Sequence, residues 1–161
     1  MAQQGASPPL KQATLEALEY VFEETLRFDK DTIDGVLDAV IRAMNRREEQ
    51  NFQVRLAAVK ALQNVHKFAN FANDDDCRNR IMTAISDAAK SDEAAEVKHA
   101  AFDCLAAIAS NYYMELEPYV ETILSLTTQA LDLEGGADET VALGCIEFWS
   151  ATCGEVIELR E

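Results

Sequence analysis

Four cysteines are the residues of this sequence with the widest chemical repertoire, since a thiol can bind a metal, form a disulfide or act as a nucleophile. No two of them have the Cys-x-x-Cys spacing of zinc-binding and thioredoxin-type motifs, so neither kind of site is predicted. Two of them fall on apolar helix faces, where a free thiol behaves as a small hydrophobe. We therefore predict four reduced thiols in a reducing compartment. They are Cys77, Cys104, Cys145 and Cys153.

The histidines and carboxylates also lack the spacing of a reactive site. His66 and His99 each have no second ligand one helical turn away, so no metal and no cofactor are expected. The chain has no glycine-rich phosphate loop and no GxSxG nucleophile motif, and no enzyme chemistry is predicted. Acidic runs near the predicted helix ends favour solvated loops, with contact to a basic partner as the alternative. These residues are Asp74, Asp75, Asp76, Glu134, Asp138 and Glu139.

Composition and charge narrow the class of protein. The 161 residues carry a formal net charge of -15, which argues against binding to a nucleic-acid backbone. No apolar run reaches the length of a membrane span, so no membrane contact is expected. Glycine and proline are scarce, at 6 and 3 residues, which favours helices. Residues 1–9, which include Pro8 and Pro9, are predicted to be a disordered tail or a remnant of cloning.

A repeat of 43 to 44 residues positions all of these side chains. Four similar segments, TLEAL, AVKAL, AFDCL and CIEFW, end at residues 18, 62, 105 and 149. Val54, Val97 and Val141 precede the last three segments by equal offsets. A period of this length is typical of HEAT and armadillo arrays, in which each repeat is a pair of helices.

A second amphipathic helix precedes each of the last three segments. The apolar residues recur at helical spacing over residues 31–46, 77–89 and 117–131. The sequence therefore predicts an all-α superhelix, a HEAT-repeat solenoid of stacked antiparallel helix pairs, over residues 10–161. It would consist of one B helix followed by three A–B pairs, at about 31–70, 74–112 and 115–159. Neither end carries the polar cap of a natural solenoid, so a longer array, or a homodimer through the uncapped ends, is expected.

Four stretches of the chain resemble the importin-β family of nuclear transport receptors, the karyopherins. They are residues 11–18 (KQATLEAL), 54–62 (VRLAAVKAL), 109–113 (ASNYY) and 141–150 (VALGCIEFWS). The run IEFWS within the last of them is the most specific. The resemblance covers residues 10–161 and a minor, central part of such a receptor.

The resemblance implies a binding scaffold rather than an enzyme. The expected partners are cargo nuclear localisation signals or the adaptor importin-α, the GTPase Ran, and Phe-Gly nucleoporins. The expected locations are the cytoplasm, the nucleus and the nuclear pore of the nuclear envelope. The alternative is a HEAT-repeat structural scaffold of a phosphatase or trafficking complex, and a second rival is an enzyme with a helical fold.

The resemblance also places a nucleoporin-binding groove between the A helices of adjacent repeats. Leu37, Ile41 and Ile81 match its apolar residues, although their alternative role is inter-repeat core. Arg80 stands where the family has Phe, and Cys77 stands where it has an acidic residue. The Arg removes an aromatic wall and adds a charge, which would weaken Phe-Gly binding here.

Trp149 is the remaining candidate of the sequence. Exposed, it could stack on a cargo side chain. Since it aligns with Leu62 and Leu105 of the other repeats, we predict that it is buried instead.

Overall fold

All regular structure in the described part of the chain is helical. The computed structural model describes residues 6–24, 29–67, 69–90, 93–131 and 138–158. The elements are α1 (Pro8–Glu24), α2 (Lys30–Met44), α3 (Phe52–Val65), α4 (Asp75–Ala88), α5 (Ala95–Tyr112), a 3-10 segment (Tyr113–Tyr119), α6 (Val120–Ala130) and α7 (Glu139–Glu158).

Short polar side chains set where several helices begin. Asp29 and Asp74 precede α2 and α4, and each accepts a hydrogen bond from a backbone N–H of the first turn. Asn51 does the same for α3. Such caps satisfy donors that the helix itself leaves without a partner.

The boundaries of α2 and α4 differ from those expected by one or two residues, and two larger differences involve prolines. Helix α1 already begins at Pro8, inside the stretch predicted to be a tail, because proline lacks only an N–H that the first turn does not use. Pro118 lies in the 3-10 segment, and α6 begins after it at Val120 rather than at Glu117. Pro118 has no backbone N–H to donate within a regular α-helix, which agrees with the start of α6 after it.

The helices form two parallel rows. Helices α1, α3, α5 and α7 pack in succession in one row, and α2, α4 and α6 pack in succession in the other. Between the rows, α2 packs on α3, α4 on α5 and α6 on α7. Each helix therefore buries its apolar stripe against chain neighbours and against the next pair, as in a solenoid.

Small residues allow close contact within the row of α3, α5 and α7. Ala58 and Ala61 of α3 and Ala101 of α5 are fully buried. In α7, Gly144 lies so close to α5 that an added Cβ would be 2.9 Å from Nδ1 of His99 and 3.2 Å from Cβ of Phe102. Gly144 aligns with Ala57 of α3 and Ala100 of α5, which are each 5% exposed, so a small residue at this position of the repeat allows neighbouring helices to approach closely.

Ion pairs connect successive repeats at their loops, and the Arg55–Glu93 pair is buried. Nε and Nη2 of Arg55 in α3 donate to the two carboxylate oxygens of Glu93 in the α4–α5 loop, at 2.8 and 2.6 Å. Nη1 of Arg55 donates to the backbone oxygens of Glu49 and Gln50, both at 3.0 Å. Nζ of Lys11 in α1 lies 2.6 Å from the carboxylate of Glu49. The loop glutamate is therefore bound in the same way in two repeats. Lys11 of α1 binds Glu49, and Arg55 of α3 binds Glu93.

Candidate functional site

The candidate site is a groove of about 870 Å³ between α2 and α4, the first helices of two successive pairs. The turn after α2 and the end of α4 close one side of it. The lining residues are Ile41, Met44, Asn45, Arg46, Arg47, Gln50, Asn79, Arg80, Thr83, Ala84, Asp87, Lys90 and Glu93.

Two of the five residues singled out from the sequence line this groove. Ile41 is half-buried on α2, and Arg80 lies on the opposite wall in α4. Leu37 and Ile81 are fully buried, and Cys77 is 8% exposed. These three side chains belong to the core that holds α2 and α4 together, which is the alternative that the sequence had left open. They can support the groove but offer little surface to a partner.

Arg80 keeps its charge at the mouth of the groove. Its guanidinium forms an ion pair with the carboxylate of Asp38 on α2, and the two side chains are 38% and 54% exposed. Because the head group reaches water, the arginine does not bury an unpaired charge in the apolar wall. Its aliphatic stem remains available as apolar surface beside Ile41.

The thiols do not have the chemistry of nucleophiles. Burial, together with the negative charge of Asp74, raises the pKa of Cys77. Burial raises the pKa of Cys104 to about 12 and that of Cys145 to about 11. A thiolate is the reactive form, so these three groups are inert at neutral pH. Cys153 is exposed.

The two histidines and Trp149 have the contacts of structural residues. His66 is buried, and burial lowers its pKa to about 4. Nε2 of His99 lies 3.6 Å from the carboxylate of Asp103 one turn further along α5. Trp149 packs edge-on against Phe148, but it is half-buried rather than buried because it also lines a small apolar pocket beside the 3-10 segment. Within the described ranges, no group of three His, Cys, Asp or Glu could hold a metal ion.

Two of the five described residues of the acidic runs are helix caps, and the other three are exposed. Asp74 caps α4, and Asp75 and Asp76 are exposed in its first turn. Asp138 accepts hydrogen bonds from the backbone N–H groups of Thr140 and Val141 at the start of α7. Glu139 is exposed, and Glu134 lies outside the described residues.

Sequence reasoning missed the basic side chains of the groove. Arg46 and Arg47 lie in the turn after α2, and Lys90 follows the end of α4. In the sequence, Arg46 is the last residue of the helix predicted over residues 31–46, and Arg47 follows it. The sequence does not show that these arginines lie beside the end of the next A helix, because this follows from the packing of α2 against α4.

Among the described residues, no helix is long and apolar enough to cross a membrane.

Comparison with known proteins agrees with this architecture. The chain is 42% identical over 156 residues to importin subunit beta-1 of Arabidopsis thaliana, a match that covers 94% of the chain and 17% of that relative. It is 36% identical to importin subunit beta-1 of Schizosaccharomyces pombe over 98% of the chain and 18% of that protein. The chain thus spans less than a fifth of the curated relatives it matches. No protein-family profile matches it.

Solved structures give the same result at the level of the fold. Yeast importin-beta (Kap95p) superposes with a TM-score of 0.82 at 30% identity, over 99% of this chain and 18% of that chain. A complex of Kap95 with Nup1 gives 0.81 at 30% identity, over 99% and 18%. A structure in which Kap95p binding induces the switch loops of RanGDP to adopt the GTP-bound conformation gives 0.79 at 31%, over 94% and 16%.

The two rows of packed helix pairs therefore define a segment of a HEAT-repeat solenoid, as the 43-to-44-residue period predicted. The sequence matches identify the kind of solenoid. The chain is an importin-β-family segment, and the resemblance seen in its sequence is confirmed over about 95% of its length. Its central position within such a receptor stays a prediction.

Proposed function

We propose that this chain acts as a segment of a nuclear import receptor, a non-enzymatic scaffold that binds cargo signals or importin-α, Ran-GTP and Phe-Gly nucleoporins. The observation that carries the proposal is its 42% identity to importin subunit beta-1 over 94% of the chain. The likeness to Kap95 structures that contain RanGDP or Nup1 supports Ran and nucleoporins as partners. Such a segment would work in the cytoplasm, in the nucleus and at the nuclear pore. The homodimer expected from the sequence stays a prediction.

The α2–α4 groove is the place that we propose for a Phe-Gly motif. A phenylalanine ring would rest on Ile41 and Ala84, which are half-buried on facing helices, and on the aliphatic stem of Arg80. Leu37, Cys77 and Ile81 would fix the separation of the two helices from below. Each such contact is small and weak, and affinity for a nucleoporin would come from many repeated motifs.

An NMR titration of the isotopically labelled chain with a Phe-Gly peptide tests this site. We expect amide shifts clustered at Ile41, Arg80 and Ala84, and none with a peptide in which Ser replaces Phe. Ile41→Ser should abolish the shifts. The matched control is Leu143→Ser, because Leu143 is an exposed apolar residue of α7 on the other row of helices. Shifts that persist in Ile41→Ser, or that are absent from the unaltered chain, would refute the site.

A second titration addresses the function more broadly. Ran loaded with a GTP analogue should perturb amides of the chain, whereas Ran loaded with GDP should perturb them less. If neither Ran nor the Phe-Gly peptide changed any resonance, the receptor function itself would be contradicted.

A further inference from the structure

The α2–α4 groove has a charge opposite to that of the molecule around it. The whole chain has 14 Lys and Arg against 29 Asp and Glu. The groove, in contrast, is lined by four basic residues and two acidic ones. The basic residues are Arg46, Arg47, Arg80 and Lys90, and the acidic ones are Asp87 and Glu93.

The two carboxylates of the groove already have partners. Glu93 is held by both donor atoms of Arg55 from beneath, and its side chain is only 5% exposed. Asp87 forms an ion pair with Lys90 in which both side chains are more than half exposed. Neither carboxylate therefore competes strongly for an incoming ligand, and exposed pairs of this kind contribute little.

The arginines leave positive charge at the rim. Arg47 is exposed in the turn after α2, and within the described residues it forms no ion pair. Burial raises the pKa of Glu93, whereas Arg55 and, to a smaller extent, the charge of Arg46 lower it. Arg80 shares its charge with Asp38, which is itself half exposed. Guanidinium groups are well suited to paired recognition of carboxylates.

We propose that the α2–α4 groove binds an acidic peptide segment that carries one apolar side chain. The apolar side chain rests on Ile41 and Ala84, and flanking carboxylates pair with Arg47 and Arg80 at the rim. The net charge of -15 disfavours the same ligand over the chain as a whole, so the basic lining of this groove gives it selectivity. The proposal does not require nuclear transport, since it rests on the charge and shape of the groove alone.

Charge also distinguishes a peptide from a nucleic acid. A nucleic acid presents a continuous line of phosphates and needs basic groups along its whole path. Beyond this groove, such a backbone would meet a chain with a net charge of -15. An acidic peptide can place a few carboxylates in the groove and direct the rest of its chain away.

Fluorescence anisotropy with labelled peptides tests the proposal on the whole 161-residue chain. The first peptide has one Phe flanked by Glu residues, the second has the same Phe flanked by Lys, and the third has it flanked by Gly and Ser. We expect the Glu peptide to bind about tenfold more tightly than the Gly-Ser peptide and the Lys peptide not to bind. Binding of the Glu peptide should weaken severalfold as ionic strength rises from about 0.05 to about 0.3 M.

Matched charge reversals locate the binding site. Arg47→Glu should weaken binding of the Glu peptide about tenfold. The control is Lys67→Glu, because Lys67 is also exposed and the net charge changes equally, but it lies in the α3–α4 connection outside the groove. Circular dichroism should show the same helicity for both variants. Equal weakening by both variants would mean that only net charge matters, and it would overturn the proposal.

The remaining outcomes are also decisive. Equal affinity for all three peptides would support the Phe-Gly groove and overturn the selection of acidic peptides. Binding of the Glu peptide without binding of the Gly-Ser peptide would support that selection and contradict the Phe-Gly groove. If a single-stranded oligonucleotide displaced the Glu peptide and bound more weakly to Arg47→Glu, the ligand of the groove would be a nucleic acid and the peptide proposal would be overturned.

Discussion

At Gly144 the neighbouring helix already occupies the space that a side chain would need. An added Cβ would be 2.9 Å from Nδ1 of His99 and 3.2 Å from Cβ of Phe102, both on α5. The Cβ of Phe102 can move only if the helix moves with it. Alanine is favoured over glycine within a helix by about 1 kcal/mol, but forced overpacking costs about 1–3 kcal/mol. We therefore expect Gly144→Ala to lower the free energy of unfolding by about 1 kcal/mol in urea titrations.

Gly154 provides the control in the same helix. No atom lies within 4 Å of the Cβ that would be added there, so only the helix preference changes. Gly154→Ala should raise the free energy of unfolding by up to about 1 kcal/mol. Stabilisation by both substitutions would show that α7 and α5 are further apart than the structure describes.

His66 is a buried histidine with one satisfied nitrogen. Its Nδ1 lies 3.3 Å from the backbone oxygen of Leu62, which can only accept, so Nδ1 carries the proton. Among the described residues, its buried Nε2 has no hydrogen-bond partner, and the ring meets Tyr112 edge-on. Protonation of Nε2 would place an unsatisfied donor and a charge in the core, which is why burial lowers the pKa to about 4.

This pKa predicts how stability depends on pH. An unfolded histidine takes up a proton below about pH 6.5, but His66 in the fold does so only near pH 4. The unfolded chain therefore binds more protons between these values, and stability falls as the pH is lowered through this window. The loss due to His66 should be about 2 kcal/mol between pH 7 and pH 5, measured by urea unfolding.

The variant His66→Gln isolates this contribution from that of the carboxylates. Its stability should change by about 2 kcal/mol less between pH 7 and pH 5 than that of the unaltered chain. An equal change in the two proteins would mean that His66 is accessible to protons in the folded state.

At the scale of the elements, Arg55 connects α3 to the α2–α3 loop and to the α4–α5 loop. Burial raises the pKa of Glu93, but hydrogen bonds from Arg55 and from the N–H of Ala94 outweigh this effect, so the net pKa is lowered. The Arg55 and Glu93 side chains are each 5% exposed. Removing one partner of such a pair leaves the other charge buried and uncompensated.

Glu93→Gln should therefore destabilise the chain by about 3 kcal/mol in chemical unfolding at neutral pH. Asp87→Asn is the control, because it removes an ion pair with Lys90 that is more than half exposed, and it should change stability by less than about 0.5 kcal/mol. Similar effects of the two variants would contradict a special role for the buried pair.

The sequence predicted the helices better than it predicted the groove between them. A period of 43 to 44 residues with apolar spacing determines helix pairs and their stacking, because each pair can bury its stripe only on a neighbour. The same spacing could not separate Leu37 in the core from the half-buried Ile41, since both lie on one stripe of α2. The role of Arg47 depends on the contact between α2 and α4, and the periodicity of apolar residues does not predict which loop residues that contact brings together.

For the whole molecule, a solenoid distributes its stability over neighbouring contacts rather than over a single centre. Helix α5 packs against α3 on one side, α7 on the other and α4 in the second row. Helix α7 packs against α5 and α6 among the described helices. In such an array, a helix with fewer packed neighbours opens at a lower free energy than one held on both sides.

The four cysteines allow the order in which the helices open to be measured. Cys153 is exposed, whereas Cys77, Cys104 and Cys145 are buried thiols with raised pKa values. With Ellman's reagent at neutral pH, we expect one thiol to react at once and three to wait for opening of the structure. The fast phase should vanish in Cys153→Ser, and all four thiols should react at once in denaturant.

The slow phases should then follow the packing. Cys145 in α7 should react before Cys104 in α5, since release of Cys104 requires α5 to leave neighbours on both sides. Mass spectrometry of partly labelled protein gives the order directly. Equal rates for Cys104 and Cys145 would mean that the chain opens as one cooperative unit, and the nearest-neighbour description would then be wrong for a segment of this length.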